Sequence, residues 1–462
     1  MSIALIGILG WIVLQLAIGV WASRKIRTED DYLVAGRSLG YPIATATIFA
    51  TWFGAETCIG AAGQAASEGL DGTVADPFGY SLCLVVMGLF LARPLWRRKL
   101  QTLGDLYRDR YGPHAEKAAV LMMVPTSILW ASAQVRAFGQ VLAAASTLEV
   151  NVAIALAALV VIAYTMVGGM MADAYTDFVQ GGVLLLGLLL LGAMVWTSDA
   201  GARVEIPLET LRFTHDAGWL ATAEAWAVPV IGSLIAAELV VRVSASRSAE
   251  VAQRSTLLAA AIYLGIGLIP VSIGLAAPQL LGPIDDPEQV LIRTAQAYLP
   301  SGIAIVFAGA LVSAILSTVD SALLVAGSLI GHNVVAPMLG TPTTETRLRW
   351  DRGAVAACGV AAWLLAMSSE SVFGLVELAS GLGSSGLFVL AIVAMTPWRR
   401  GGPTTALVTM ACGLGVYIAG EFFELYEGPF VLSLLVSALV FGAGAALEPA
   451  RPVADATIGS PS

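Results

Sequence analysis

The sequence predicts an all-α polytopic membrane protein with about 13 transmembrane helices. Three observations carry this. Hydrophobic residues make up 57% of the 462 positions and charged residues only 12%, against roughly 25% charged in a soluble domain. Apolar runs about 20 residues long, the length that crosses a bilayer, alternate with short charged loops. No strand-length alternation with regular turns occurs, so the spans are helices and not a barrel. The 48 glycines suit close helix packing and broken helices.

The expected spans are 3–22, 39–66, 76–95, 115–146, 151–167, 175–196, 223–243, 251–276, 301–330, 353–367, 372–395, 404–420 and 429–446. Only Ser-Ser-Glu-Ser at 368–371 parts the tenth from the eleventh. The first run lacks a basic leader and a clear cleavage site, so it reads as a retained span and not a signal peptide. Charge placement tests the count. Basic residues follow the odd-numbered spans: Arg24, Lys25, Arg27 and Arg37, then Arg93, Arg97, Arg98, Lys99, Arg108, Arg110 and Lys117. Arg242, Arg247 and Arg254, Arg347, Arg349 and Arg352, Arg399 and Arg400, and Arg451 continue the series. The opposite loops hold Arg203, Arg212 and Arg293 beside Asp285, Asp286, Glu288, Glu421, Glu424 and Glu427. Positive residues stay cytoplasmic, which implies a multi-pass protein of the cell membrane with its N-terminus outside and its C-terminus inside. The tail beyond Glu448 is short, rich in Pro, Ser and Ala, and reads as disordered.

Enzyme chemistry finds no support. Cys58, Cys83, Cys358 and Cys412 lie in apolar spans and form no disulfide framework or metal-ligand spacing. His114, His215 and His332 are scattered and read as incidental. No nucleophile–base pair, attached soluble domain, organic cofactor, nucleic-acid partner or obligatory protein partner is indicated. The net charge of −9 says little, because the membrane sorts charge by side.

The second span contains Ile48-Phe-Ala-Thr-Trp-Phe-Gly-Ala-Glu-Thr-Cys-Ile-Gly-Ala-Ala-Gly63. A carboxylate at membrane depth is costly and marks function, and Gly54, Gly60 and Gly63 let a helix loosen and free backbone carbonyls. The seventh span is interrupted by Pro229 and Gly232. The two lie five spans apart, an odd offset that turns the second unit over and is the signature of an inverted repeat with a solute site between the broken helices. In the ninth span, Ala314, Ser317, Thr318 and Ser321 share a helical face. Their hydroxyls either offer neutral oxygens to a small hard cation or bond back to their own helix. Asp320 lies off that face and either pairs with a cation such as an inner-loop Arg or faces a vestibule. Asp173 and Asp177 open the sixth span, where an acid caps the helix or complements its dipole, or stages a departing cation.

The motifs Asp31-Tyr-Leu-Val-Ala-Gly-Arg-Ser-Leu39, Gly54-Ala-Glu-Thr57, Gly168-Gly169 with Tyr175-Thr-Asp-Phe-Val-Gln180, and Leu316-Ser-Thr-Val-Asp-Ser-Ala-Leu-Leu324 together resemble the sodium:solute symporter family. The resemblance implies a LeuT-type five-plus-five inverted repeat with one extra N-terminal and two extra C-terminal helices. The implied division is 1–38 for the extra helix and basic loop, 39–200 and 201–396 for the two repeats, 397–449 for the last two helices and 450–462 for the tail. It implies Na+ as coupling ion, held by the carbonyls of Ala55 and Cys58, the carbonyl of Ala314 and the hydroxyls of Ser317 and Thr318, with Asp177 on the sodium exit path. On this placement Glu56 points away from the ion. Within the family, Thr51-Trp52, Gly79-Tyr-Ser81 and Trp130 look most like the high-affinity choline transporter branch. Trp52, Tyr80 and Trp130 then face the solute, either as a partial aromatic cage or as plain packing, with Glu238 near a position where the family often has an acid. Ala236 and Ala237 stand where a further cage aromatic would be. The implied function is sodium-coupled symport of a small polar organic solute by alternating access. The alternatives are a solute-binding sensor of the same fold and a proton-coupled symporter that uses Glu56.

Overall fold

The computed structural model describes residues 3–24, 26–144, 146–167, 169–213, 218–284, 286–340, 343–369 and 371–448. Lys25, Gly168, His215, Asp285, Glu370 and the tail beyond Glu448, all used in the sequence reading, lie outside the described residues. The described chain is helical, with one isolated parallel bridge between Leu39 and Ser246. Eight segments are long and apolar enough to cross a membrane, and a ninth is the bent pair Val372–Ser384 and Phe388–Met395. The sequence reading counts four more: the helices Ile3–Ser23, Val150–Val167 and Thr344–Ser368, and the broken second span.

Two spans are broken near the middle of their length. The first runs as Tyr41–Trp52, unwinds at Phe53 and Gly54, passes through a π-helical turn at Glu56–Gly60 and continues as Ala61–Glu68. The second runs as Trp219–Ala227, a π-helical turn Val228–Gly232, an unwound stretch at 233–236 and Ala237–Ala245. Pro229 lacks an N–H and sits in the wide turn. The unwinding comes just past Gly232, later than the Pro229–Gly232 interval suggests. The Leu39 N–H donates to the Ala245 carbonyl at 3.2 Å, and the Arg247 N–H donates to the Leu39 carbonyl at 2.9 Å. The start of one broken helix is thereby fastened to the end of the other.

Three continuous helices hold the broken pair: Met170–Trp196 packs on Tyr41–Trp52, Ala249–Leu281 packs on both halves of the first broken helix, and Ser301–Ile330 packs on Tyr41–Trp52 and on Ala237–Ala245. Pro113–Ala144 packs on Ser301–Ile330 from behind. The eleventh span, expected to be continuous over 372–395, bends by 52°. The long Ser301–Ile330 helix buries Ser313, Ser317, Thr318, Asp320, Ser321 and Ser328.

The arginine-rich face is locked by helices too short for a hydropathy pattern to show. Glu29–Val34 and Leu103–Tyr111 each begin with a capping box, Thr28 with Asp31 and Thr102 with Asp105. Arg110 donates to the carbonyls of Arg400, Gly401 and Trp398 at 2.7, 3.0 and 3.3 Å. Glu29 accepts from His332 Nδ1 at 2.8 Å and from Arg347 at 2.5 Å. The His332 hydrogen bond, helped by Arg347, holds the Glu29 carboxyl below its ordinary range.

The contact between Ala61–Glu68 and Ala249–Leu281 leaves no room for a side chain at Gly274. A Cβ there would lie 2.3 Å from the Ala62 carbonyl oxygen and 2.7 Å from the Ala65 Cβ. Gly274→Ala is expected to cost about 1–3 kcal/mol and to lower the Tm in detergent. Gly265→Ala, on the same helix with nothing within 4 Å, should leave Tm unchanged. Equal melting of the two variants would contradict this packing.

Candidate functional site

A helix end leaves its last four carbonyls without intrahelical partners. Breaking the first helix after Trp52 creates such an end in the bundle interior. The Ala55 N–H, which in a continuous helix would serve the Thr51 carbonyl, donates instead to Gln134 Oε1 at 2.9 Å. Hydroxyls from the Ser301–Ile330 helix take the vacated acceptors. Ser317 Oγ donates to the Ala50 carbonyl at 2.8 Å, and Thr318 Oγ1 lies 3.0 Å from the Thr51 carbonyl and 3.4 Å from that of Ala50. The Ala314 carbonyl, one turn back, lies 2.9 Å from Ser317 Oγ and 3.1 Å from Thr318 Oγ1. All five residues are buried.

This places three of the expected sodium ligands together: Ala314, Ser317 and Thr318. It does not bring the carbonyls of the other two, Ala55 and Cys58, to the hydroxyl pair. Ala55 and Cys58 make no hydrogen bond to the hydroxyl pair, and the Cys58 N–H returns to the Gly54 carbonyl at 3.3 Å. The first helix meets the pair at Ala50 and Thr51, about one turn earlier. The physical reason is direction: unpaired carbonyls belong to the half that ends at a break, and Ala55 and Cys58 begin the next half.

Glu56 also departs from expectation, because it points into this site. Its carboxylate accepts from Trp130 Nε1 at 3.0 Å and from Gln134 Nε2 at 2.7 Å. A Cβ on Gly54 would lie 2.5 Å from Glu56 Oε2, 2.8 Å from Thr318 Oγ1 and 3.0 Å from Gln134 Oε1. Three oxygens from three helices thus close on the open side of Gly54, and a side chain there would have to push them aside. Gln134 was not legible as a site residue, although its i+4 spacing from Trp130 puts both on one helical face.

A narrow cavity lies beside this site, lined by Trp130, Glu238, Ser233, Ala236, Ser380 and Ser384 among others. Trp52 packs edge-on to Trp130 with ring centroids 4.8 Å apart. The Tyr80 hydroxyl lies 3.2 Å from Ser380 Oγ, which also receives the Ser233 hydroxyl at 3.2 Å. Glu238 accepts from Ser127 Oγ at 2.5 Å. Ser384 donates to the Gly232 carbonyl and braces the second break. Trp130 and Glu238 therefore line the cavity, Trp52 backs onto Trp130, and Tyr80 reaches the cavity through Ser380.

Asp177 is buried away from that cavity, where it accepts from Thr47 Oγ1 at 2.5 Å and lies 3.7 Å from the Arg242 guanidinium. Arg242 comes from the second broken helix, pairs with Asp173 at 2.5 Å and contacts Ser321. Asp320 lies beside Asp173 and Thr165, so the cation in its neighbourhood is Arg242 and not a loop arginine. Ser321 Oγ also donates to the Ser317 carbonyl at 2.6 Å, which joins this cluster to the hydroxyl pair.

The model of the sodium:solute symporter family matches residues 32–413. The chain belongs to that family. It is 27% identical over 390 residues to the high-affinity choline transporter 1 of Drosophila melanogaster, a match that covers 80% of this chain and 63% of that protein. It is 26% identical over 461 residues to the human high affinity choline transporter 1, covering 92% and 78%, and 26% identical over 455 residues to a sodium/proline symporter of Haemophilus influenzae, covering 89% and 88%. The fold matches a Na+-coupled sialic acid symporter in a substrate-bound outward-open state with a TM-score of 0.82 at 20% identity, over 98% of this chain and 99% of that one. These are transporters and not enzymes, and the fold of this family member is the LeuT-type bundle.

Gly54→Ala should drive Glu56 and Thr318 apart and abolish any rise in Tm on adding sodium. Gly181→Ala, whose nearest neighbour would be 3.6 Å from the new Cβ, should keep that rise. A sodium response retained by Gly54→Ala would contradict the close approach described.

Proposed function

We propose that the protein is a sodium-coupled secondary active symporter that imports a small polar organic solute by alternating access. The observation that carries this reading is the meeting of the Ser317 and Thr318 hydroxyls with the Ala50 and Thr51 carbonyls freed by the break. Neutral hard oxygens of this kind suit an ion that must be held and then released. Sodium is held by Ser317, Thr318 and the Ala314 carbonyl, with the carbonyls of Ala50 and Thr51 in the role the resemblance gave to Ala55 and Cys58. Binding fixes the broken helix against the Ser301–Ile330 helix and so completes the solute cavity. Asp177 and Arg242 stand on the path by which sodium leaves toward the arginine-rich face, which is the cytoplasmic one.

The solute binds beside Trp130, with Trp52, Tyr80 and Glu238 around it. Glu238 is the one charged side chain among its lining residues, and an indole face attracts cations. A solute carrying a positively charged group fits this wall, in keeping with the choline transporters among the relatives. Proton coupling through Glu56 is the second reading, favoured by its burial next to Thr318 and Gly54.

A thermal-shift screen of the purified protein against organic cations, amino acids, sugars and carboxylates, with and without sodium, tests both parts. The expected hit carries a positive charge, and its shift grows with sodium. Ser317→Ala and Thr318→Ala should raise the sodium needed for half-maximal uptake of that solute by about tenfold, or about 1.4 kcal/mol each, while Glu56→Gln leaves coupling to sodium in place. Uptake driven by a pH gradient, lost in Glu56→Gln and intact in the hydroxyl variants, would establish the proton reading instead.

A further inference from the structure

The third span, Asp71–Arg97, ends with Arg93 and Arg97. Four residues apart, they share one face of its last helix, and both are exposed. Leu89 and Phe90, one turn deeper in the same span, are 52% and 65% exposed. The surface of the span thus passes from apolar to basic within about two turns. A phospholipid changes in the same order from acyl chain to headgroup.

The fold brings further cations to this end. Arg98 reaches across to the end of Phe388–Met395 and donates to the Ala394 carbonyl at 2.6 Å. The segment that follows is held from within, because Arg110 binds the carbonyls of Trp398, Arg400 and Gly401. The Arg399 and Arg400 side chains are exposed. Trp398, 47% exposed, lies against Phe441, and indoles of this kind favour the headgroup level of a bilayer. Among the described residues, none of Arg93, Arg97, Arg98, Arg399 and Arg400 forms an ion pair. Burial, with Arg399 nearby, holds the Arg98 guanidinium below its ordinary range, and Asp109 offsets only part of this. Glu448, an acid at the end of the last helix, accepts from the Gly402 N–H. Cations gathered from two segments without an acid between them call for an anion. A phosphate takes paired N–H bonds from a guanidinium and has oxygens left for a second.

We propose that Arg97, Arg98, Arg399 and Arg400 bind the phosphate of an anionic phospholipid, with its acyl chain along Leu89 and Phe90 and its headgroup beside Trp398. The apolar strip that leads into the arginines fits a lipid and offers nothing to a free phosphate. The lipid bridges the inner end of the third span and the segment after the eleventh, next to the bond from Arg98 to Ala394. It is a partner distinct from solute and sodium, so this inference stands or falls apart from the coupling ion.

Native mass spectrometry of the full-length protein in detergent, titrated with phosphatidylglycerol or with phosphatidylcholine of the same acyl chains, tests this. The wild type should bind phosphatidylglycerol about tenfold more tightly. Arg98→Gln combined with Arg399→Gln should reduce that affinity to the level of phosphatidylcholine. Lys117→Gln combined with Arg254→Gln removes two exposed cations elsewhere and should keep the preference. If loss of the Ala394 contact prevents folding, Arg399→Gln with Arg400→Gln decides the matter, since Arg110 holds that segment through its main chain. Inorganic phosphate and glycerol 3-phosphate, a headgroup without chains, should leave the bound lipid in place. Equal binding of the two lipids by the wild type, or equal loss of preference in the two charge-matched variants, would overturn the site. Displacement of the lipid by inorganic phosphate would assign the arginines to a soluble anion and overturn the lipid as their partner.

Discussion

The break at Phe53 and Gly54 governs this structure, because a bilayer core has no water to satisfy the backbone groups it exposes. Each freed group is answered from a different part of the bundle. Ala50 and Thr51 receive Ser317 and Thr318 from the ninth span, Trp52 receives Tyr263 from the eighth, and the Ala55 N–H finds Gln134 on the fourth. An unbroken helix would need none of these partners. The interruption is thus the point at which three long helices are referred to one position, and Gly54 permits it by leaving space for the oxygens that close in.

Charge is sorted around that point in two ways. Toward the arginine-rich face, Arg242 compensates a group of aspartates and ties the second broken helix to the sixth and ninth spans. At the break itself, among the described residues, the buried acids Glu56 and Asp76 meet neutral donors: an indole, an amide and two hydroxyls. A region whose protein partners are neutral while its own charge is negative is suited to a mobile cation, and a transporter needs its ligand to leave. The same asymmetry separates the Arg242 ion pair, which ties helices together, from acids that have only neutral partners among the described residues.

Much of this was legible in the sequence. Apolar run length gave the bundle, the glycines around Glu56 marked the break, and helical spacing put Ser317 and Thr318 on one face. Two kinds of information were not. Which carbonyls a break frees depends on where the helix stops within a residue or two, and the stop at Trp52 brings those of Ala50 and Thr51 to the hydroxyl pair. Partners distant in the chain were also hidden. Gln134, Tyr263 and Asp76 are single polar residues in apolar spans, and nothing local distinguishes them from residues bonded to their own helix. Glu56 was misdirected for the same reason, since its orientation is set by Trp130 and Gln134, more than 70 positions away. The short capped helices at Glu29–Val34 and Leu103–Tyr111 escaped because they are amphipathic or charged and too brief for a hydropathy window.

The central claim, that the broken helix and the hydroxyl pair together bind sodium, is met most directly by high-resolution cryo-electron microscopy of the protein in sodium and in N-methylglucamine. The account predicts density in sodium alone between the carbonyls of Ala50 and Thr51 and the oxygens of Ser317, Thr318 and Ala314, with the hydroxyls turned from their carbonyl acceptors toward the ion. Maps in which those hydroxyls keep the same backbone partners in both salts, with no added density between them, would contradict it.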